Sequence, residues 1–372
     1  MNWKALDKTE TNLFKGLAII MIVTHNFLHL FPIPEENEFN FSESRFNNLL
    51  NLLWNEPENS IRGLLSFFGH FGVQIFIFLS AYGLTKKYLS TQPKFWSFLW
   101  GRVLKIYPTF ILAIILWAMI YGWLWNNGGI LGPLQVIYSN FGSLFLKLTL
   151  LSNFVPREAI AIVGPWWFIP FIFQFYLFFS LLLKLYEHWG SKGLFVISIF
   201  SIGFNLFFNG RVFSVNLYPT LIGHLPELCL GIYFSKNDLN RIRIHYLLFF
   251  VALITNILGN IYEPLWHLNH ISFLIILLFL FNFLVNKIKN NELSKKTILF
   301  FGYISMPLFL VNGFLRRPLI NWALQYDHWF ITIIFCLIFL IISVLVSLVL
   351  LHSEKFLRSL IKKYSNINLK TE

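Results

Sequence analysis

The sequence predicts an all-α membrane protein with about ten transmembrane helices and with both termini in the cytoplasm. Its composition is the first indication, since 56% of the 372 residues are hydrophobic and only 12% are charged. A soluble protein of this length carries about twice that charged fraction. The second indication is that the apolar residues form runs long enough to cross a bilayer. We therefore expect residues 1–372 to form a single membrane domain.

The apolar runs define the predicted helices when they are compared with the roughly 20 residues that a spanning helix needs. These helices cover residues 13–31, 66–84, 103–125, 166–184, 193–209, 217–235, 245–259, 269–286, 297–315 and 329–351. A longer segment, 126–165, separates the third helix from the fourth. It opens with a turn at Asn126-Asn127-Gly128-Gly129 and contains an amphipathic piece, Phe141–Leu151, that we expect to lie in the membrane interface.

The distribution of lysine and arginine supports this layout. With a cytoplasmic N-terminus, 22 of the 29 basic residues fall in cytoplasmic segments and 7 in external ones, as the positive-inside rule requires. The first external loop, 31–65, is rich in carboxylates, for which solvation is a better explanation than substrate binding. These residues are Glu35, Glu36, Glu38, Glu43, Glu56 and Glu58.

Several other classes of protein and site are disfavoured. The net charge of +12 does not indicate nucleic-acid binding, because the basic residues are spread over the loops between apolar runs. Cys229 and Cys336 lie within apolar runs, which argues against a disulfide framework and a zinc site. We expect no metal site and no permanently bound cofactor. No small-residue cleavage site follows the first apolar run, so we expect this run to stay as a helix.

The first predicted helix places polar residues inside an apolar run. In KGLAIIMIVTHNFLHL, His25 follows Lys15 by ten residues and so lies about 15 Å from it along a helix. If Lys15 marks the membrane surface, His25 lies near the midplane, with His29 one turn further on the same face. An ionisable residue at this depth indicates a functional site. The alternative is a neutral histidine that is hydrogen-bonded to a neighbouring helix.

A pair of cations lies at the start of the third predicted helix, in WGRVLKIYPTF (100–110). Arg102 and Lys105 are three residues apart and therefore point the same way on a helix. Two cations on one face suit a ligand that carries phosphate groups, because their charge offsets the lost hydration of the phosphates. Ordinary positive-inside anchoring explains the pair equally well, so both interpretations stay open on this motif alone.

The order of the motifs resembles that of the integral-membrane acyltransferase-3 family. The first three motifs are KGLA with His25 following it, GVQIFIFLSAYGL (72–84) and GRVLKIYP (101–108). Three later segments are also similar to motifs of this family, namely GPWWFIPFIFQFYLF (164–178), YPTLIGHLPELCLGIYF (218–234) and FFGYISMPLFLVNGFL (300–315). The resemblance covers nearly the whole chain, and it rests on the ordered set rather than on any single motif.

Two positions depart from the family pattern. The family usually has an arginine eleven residues before the histidine, whereas Lys15 lies ten residues before His25. One residue turns a side chain by about 100° around an ideal helix. Either another residue serves as the cation or the helix is locally distorted, and His29 therefore stays a second candidate. Asn312 stands where the family often has histidine, so we do not expect this position to transfer protons.

The resemblance implies a multi-pass enzyme of the bacterial inner membrane that moves an acyl group, usually acetyl, from cytoplasmic acyl-CoA to a hydroxyl of a surface or lipid-linked glycan. Neutral His25 is then the general base. Glu227 is the one acidic residue within the predicted helices and lies at a similar depth, so it can orient or stabilise the imidazole. Pairing of Glu227 with His224 is an equally good explanation.

The resemblance also implies binding sites for both substrates. Arg102, Lys105 and Lys15 are the candidate residues for the phosphates of acetyl-CoA. Trp166, Trp167 and Tyr176 are candidates for the acceptor site, although an aromatic belt at the membrane interface explains them better. The expected partners are acyl-CoA, the glycan acceptor and membrane lipid, with no nucleic acid.

A transporter or flippase for a polysaccharide or lipid-linked sugar is the alternative function. His25 and Glu227 would then act as a proton relay. We find no internal repeat, and its absence disfavours this class. Transfer or hydrolysis of acetyl-CoA by the purified protein distinguishes the two.

Overall fold

A computed structural model describes residues 5–88, 91–125, 128–236, 245–326 and 328–365. Asn126 and Asn127 of the predicted turn, and the counted cations Lys4, Arg241, Arg243 and Lys370, lie outside these ranges. The α-helices are α1 Lys8–Leu28, α2 Glu43–Asn55, α3 Ser60–Phe68, α4 Gly72–Tyr88, α5 Phe95–Met119, α6 Gly132–Ser139, α7 Phe141–Leu148, α8 Phe168–Phe207, α9 Leu225–Lys236, α10 His245–Gly259, α11 Glu263–Trp266, α12 Asn269–Ile288, α13 Glu292–Tyr303, α14 Ser305–Leu315, α15 Arg317–Ala323 and α16 Trp329–Ser365. Two short strands, β1 Arg211–Val212 and β2 Val215–Asn216, pair antiparallel.

Among the described residues, six helical segments are long and apolar enough to cross a membrane. They are Lys8–Leu28, Pro57–Tyr88, Phe95–Trp125, Gly164–Phe207, Asn269–Ile288 and Trp329–Leu360. A seventh arises if α13 and α14, which are bent by 73° relative to each other, form one broken span. The helical fold and these apolar segments thus confirm the expectation of an all-α membrane protein.

The first helix begins earlier than predicted, at Lys8 rather than residue 13. Asp7 and Glu10 form a capping box: the Glu10 amide donates to the Asp7 carboxylate at 2.7 Å, and the Asp7 amide donates to Glu10 at 2.8 Å. These two bonds satisfy amides that the helix itself leaves unpaired, so the polar first turn can form. Hydropathy alone misses such a turn.

Two predicted helices are only partly correct. Residues 217–224 form turns and a single 3₁₀ turn, and α9 begins at Leu225. Gly223 packs so closely on this turn that a Cβ there would lie 2.7 Å from the Leu217 carbonyl oxygen. The predicted helix 297–315 is interrupted at Ile304, between α13 and α14.

The chain reverses direction within α8, at Gly190, whose φ of 60° favours glycine. Gln174 accepts a hydrogen bond from the Leu221 amide, and Ser201 donates one to the neighbouring Ile222 carbonyl. On a straight helix, residues 174 and 201 would be about 40 Å apart. Because both contact the same turn, the segments before and after Gly190 lie side by side.

Helix α1 is at the centre of the bundle and contacts α3, α4, α12, α13, α14 and α16. Small residues allow these close contacts. A Cβ on Gly69 would lie 2.6 Å from the Cβ of His25, and one on Gly72 would lie 2.7 Å from the Ala18 carbonyl oxygen. The segment around Gly69 therefore lies directly against the last turns of α1, where His25 is located.

Candidate active site

His25 is buried near the end of α1, with 3% of its surface exposed. Its Nδ1 lies 2.7 Å from the backbone carbonyl oxygen of Ser66. A carbonyl oxygen only accepts hydrogen bonds, so Nδ1 must carry the hydrogen. In the neutral ring, Nε2 is then left with its lone pair. This is the tautomer that a general base requires, with Nε2 as the basic atom.

His29 and Arg316 continue this hydrogen-bonded chain on the other side of His25. Arg316 Nη1 lies 3.2 Å from His29 Nε2, and arginine can only donate, so His29 Nε2 accepts. The hydrogen of neutral His29 is therefore on Nδ1, which lies 3.2 Å from His25 Nε2. Burial lowers the pKa of Arg316 to about 10, so it stays protonated at neutral pH. The donors run in one direction, from Arg316 through His29 and His25 to Ser66.

Glu36 is the carboxylate within ion-pair distance of His25. One of its oxygens lies 3.9 Å from His25 Nε2 and 3.8 Å from His29 Nδ1. The next residue, Asn37, holds the loop in place: its side chain donates to Asn260, and its carbonyl accepts from Trp266 at 2.8 Å. The interpretation of the 31–65 loop as solvated carboxylates is therefore wrong for Glu36, and no spacing in the sequence identifies it.

A second carboxyl group of the same loop, that of Glu38, lies near Glu36. Burial, together with the nearby charge of Glu36, raises the pKa of Glu38 well above its usual range.

Asn312 connects α14 to α1 next to the histidines. Its side-chain oxygen accepts from Asn26 at 2.6 Å, and its nitrogen donates to the carbonyls of Leu308 and Phe309. The Asn26 carbonyl in turn accepts a hydrogen bond from Arg316. The oxygen of Asn312 thus helps to position the helix that carries His25, and its nitrogen is bound to carbonyls of its own helix.

The distances among His25, His29 and Glu36 also suit a metal ion, since their ligand atoms lie 3.2 to 3.9 Å apart. The hydrogen-bond directions do not. His29 Nδ1 carries a hydrogen because Arg316 donates to the opposite nitrogen, and the guanidinium charge also repels a cation. These residues therefore fit a proton-transfer site better than a metal site.

The structure does not bring Glu227 to His25. Glu227 instead lies in a second buried cluster with His224 and His270, whose ligand atoms are all within 4.8 Å of one another. His224 Nδ1 is 3.9 Å from Glu227 Oε2, which agrees with the alternative that paired these two residues. His70 lies between the clusters, with its ring centre 5.5 Å from that of His25.

A group of cations surrounds Lys105 toward the other end of α1. Lys15, Lys87, Arg102 and Arg358, from four different helices, are all close enough to act on Lys105 electrostatically. The three predicted phosphate-binding residues, Lys15, Arg102 and Lys105, are therefore brought together. We refer to these five residues as the cation cluster.

Arg102 is held in this cluster by aromatic rings. Its guanidinium carbon lies 5.2 Å from the centre of the Phe98 ring and 5.8 Å from that of Tyr176. Its buried Nε has no hydrogen-bond partner, and none of the described carboxylates forms an ion pair with it. Tyr176 thus lies with the cations, away from the other two predicted acceptor residues.

Trp166 and Trp167 are buried inside the protein and do not form a lipid-facing belt. Trp166 Nε1 donates to the Leu310 carbonyl at 2.9 Å. The Trp167 ring stacks on His224, with ring centres 5.6 Å apart. Trp166 therefore packs α14 into the core, and Trp167 lies against the cluster that contains Glu227.

Two clefts open next to the loop that carries Glu36. They have volumes of about 380 and 450 Å³ and share Phe39 and Arg211 among their lining residues. Phe39 follows Glu36 by three residues, or about 10 Å of extended chain. Asn216 in β2 donates to the Phe39 carbonyl at 2.8 Å, so the β-hairpin and the loop form one wall.

Comparison with known proteins gave one finding. A family model described as an acyltransferase domain matches residues 9–352. No curated protein and no solved structure matches the chain.

Proposed function

The chain belongs to the acyltransferase-3 family, and on this basis we propose that it transfers an acyl group, most simply acetyl, from acyl-CoA to a hydroxyl of a glycan or lipid-linked sugar. The observation that carries the proposal is the fixed tautomer of His25, whose basic nitrogen is buried and oriented by Ser66. Transfer of radiolabelled acetyl from acetyl-CoA by the purified protein tests it. A transporter would neither transfer nor hydrolyse acetyl-CoA.

The cation cluster is the proposed binding site for the phosphates of CoA. Its charges come from four helices and converge on Lys105, and none of the described carboxylates neutralises Arg102. Fixed cations of this kind repay the lost hydration of a phosphate. The distance from Lys15 to His25 is about 15 Å along α1, which the extended pantetheine arm covers. The thioester would then reach His25.

In the proposed reaction the acceptor hydroxyl replaces the His29 N–H as the hydrogen-bond partner of His25 Nε2. His25 takes the hydroxyl proton as the oxygen attacks the thioester carbonyl. The tetrahedral intermediate then collapses, the carbon–sulfur bond breaks, and the CoA thiolate takes the proton from the imidazolium. Glu36 stabilises the imidazolium, the role that the sequence analysis gave to Glu227, and the donors of His29 and Arg316 are placed to stabilise the oxyanion.

The clefts beside Phe39 are the proposed route for the acceptor. They combine aromatic rings, such as Tyr218 and Trp266, with amide side chains such as Asn153 and Asn216. Rings that pack on sugar faces and amides that bind hydroxyls suit a carbohydrate. Trp167 does not line either cleft and would affect the acceptor site only through His224, on which its ring stacks.

The proposed layout in the bacterial inner membrane has ten spans and cytoplasmic termini. The reversal at Gly190 supports two spans in α8, and the short helices α9 and α10 would supply two more. This layout brings the cation cluster to the cytoplasm, where acyl-CoA is made available, and the clefts to the outer side.

Reporter fusions test the layout. Fusions after Lys192 and Lys236 are expected to report a cytoplasmic location, and a fusion after Arg211 an external one, because the chain reverses at Gly190. A cytoplasmic signal after Arg211 would remove the two spans assigned to α8 and with them the ten-span layout.

The cation cluster gives a second prediction. Arg102→Ala is expected to raise KM for acetyl-CoA about tenfold with little change in kcat, because a phosphate contact acts equally on ground and transition states. Lys192→Ala, which removes an exposed basic residue on the same proposed side, is the matched control. Unchanged CoA affinity in the Arg102 variant would mean that Arg102 only anchors its helix at the cytoplasmic surface of the membrane.

A further inference from the structure

The cluster of His224, Glu227 and His270 is not used in the proposed reaction. All three side chains are buried, with exposed fractions of 1%, 1% and 6%. His224 and Glu227 lie on the turn before α9 and in its first turn, and His270 is in the first turn of α12. The chain thus places two imidazoles and a carboxylate in one apolar interior site.

Three polar atoms of this cluster lack a hydrogen-bond partner. Neither ring nitrogen of His224 has a hydrogen-bond partner, and neither does Oε2 of Glu227. The separation of 3.9 Å between His224 Nδ1 and Glu227 Oε2 is too long for a hydrogen bond. A buried polar group without a partner destabilises the folded protein, so a missing partner is indicated.

We propose that His224, Glu227 and His270 bind a divalent transition-metal ion, with zinc the best match. Two histidines and one glutamate are a known zinc ligand set, completed by a water molecule. Zinc–ligand bonds of about 2.0–2.2 Å put two ligands of one ion roughly 3.4 Å apart in a tetrahedral site. The ligand atoms here are all within 4.8 Å of one another, so small side-chain rotations close the site.

The surroundings favour a cation, in contrast to those of His25. Glu227 offers a carboxylate oxygen as a ligand, and none of the described lysines or arginines forms an ion pair with it. Trp167 stacks on His224, and the Tyr218 ring meets His270 edge-on at 5.3 Å, which holds both imidazoles in orientation. Rings fixed in this way lose little entropy when they bind a metal.

The smaller cleft approaches the cluster at Tyr218. Tyr218 and Glu263 line this cleft, and the Tyr218 ring also contacts His270. Once bound, the ion would join the start of α9 to the start of α12, so we assign the metal a role in fixing these two helices.

The test uses the full-length protein in detergent, with any affinity tag removed because histidine tags bind metals. Elemental analysis after dialysis is expected to find about one equivalent of zinc per chain. His270→Ala and Glu227→Gln are expected to reduce it to less than about a tenth of an equivalent, because two ligands are too few for a stable site. His352→Ala, which removes an exposed histidine on α16, is the control and should retain the metal.

A second measurement does not depend on the variants folding. Cobalt(II) substituted into the parental protein is expected to give visible absorption bands of a four-coordinate site, and a chelator that removes the metal should lower Tm by several degrees. Substoichiometric metal in the parental protein, without cobalt bands and without a change of Tm on zinc addition, would overturn the proposal. None of these measurements relies on acyl transfer, so they stand apart from the proposed function.

Discussion

His25→Ala is expected to abolish acyl transfer while the protein still inserts in the membrane and binds CoA. General base catalysis contributes roughly 100- to 10,000-fold, and the change removes the only atom proposed to accept the hydroxyl proton. The cation cluster lies about 15 Å away along α1, so affinity for CoA is expected to stay near the parental value. Acetyl transfer and CoA binding, measured on the same preparation, check both parts.

A second substitution separates chemistry from packing. His25→Gln keeps a donor for the Ser66 carbonyl and fills most of the space, but it has no titratable nitrogen. It should be as inactive as the alanine variant. His188→Ala, at an exposed position on α8, is the control and should be fully active.

Substitution of His29 tests whether His25 is correctly assigned as the general base. His29→Ala is expected to cost less than His25→Ala, because it removes one proposed donor to the oxyanion but leaves the atom that accepts the hydroxyl proton. If His29→Ala is inactive and His25→Ala active, the base lies one turn further along α1. Near-parental transfer in both variants would rule out the histidine mechanism.

Glu36→Gln is expected to reduce kcat on the order of 100-fold without a change in KM for acetyl-CoA. The carboxylate lies 3.9 Å from His25 Nε2, and in the proposed reaction it stabilises the imidazolium. Opposite charges at about 4 Å interact by roughly 4 kcal/mol at the effective dielectric of a protein surface, and a neutral amide loses most of this. Steady-state kinetics at saturating acetyl-CoA measure the effect.

Glu35→Gln is the matched control. It makes the same chemical change one residue earlier, but Glu35 pairs with Arg45 at 2.9 Å and is largely exposed. Its kcat is expected to stay within about twofold of the parental value, as for most surface ion pairs. Equal losses in the two variants would assign Glu36 to loop structure instead of catalysis.

The helices of the protein could be largely predicted from the sequence, because a membrane span depends on a local run of apolar residues. The errors occur where local chemistry interrupts such a run. The capping box of Asp7 and Glu10 extends α1 by a polar turn, and residues 217–224 form turns and one 3₁₀ turn before α9 begins. The bend at Ile304 has no signal in the hydropathy of the run.

The proposed metal site shows which contacts can be predicted from local spacing. His224 and Glu227 are three residues apart and therefore neighbours on a helix, which made their pairing foreseeable. His270 is distant in sequence, and only the packing of α12 against α9 brings it to the same point. The sequence analysis expected no metal site, and only His224 and Glu227 of this cluster are neighbours along the chain.

The sequence by itself determined the membrane class, the depth of His25 below Lys15 and the grouping of cations near the start of the third predicted span. Each of these follows from distances along one helix or from the charge of one segment. Only the tertiary structure decided which carboxylate faces His25, which tautomer the imidazole adopts and which cations converge on Lys105. Glu36, Ser66 and Arg316 come from a loop and from distant helices, and contacts of that kind depend on how the helices pack rather than on any local pattern.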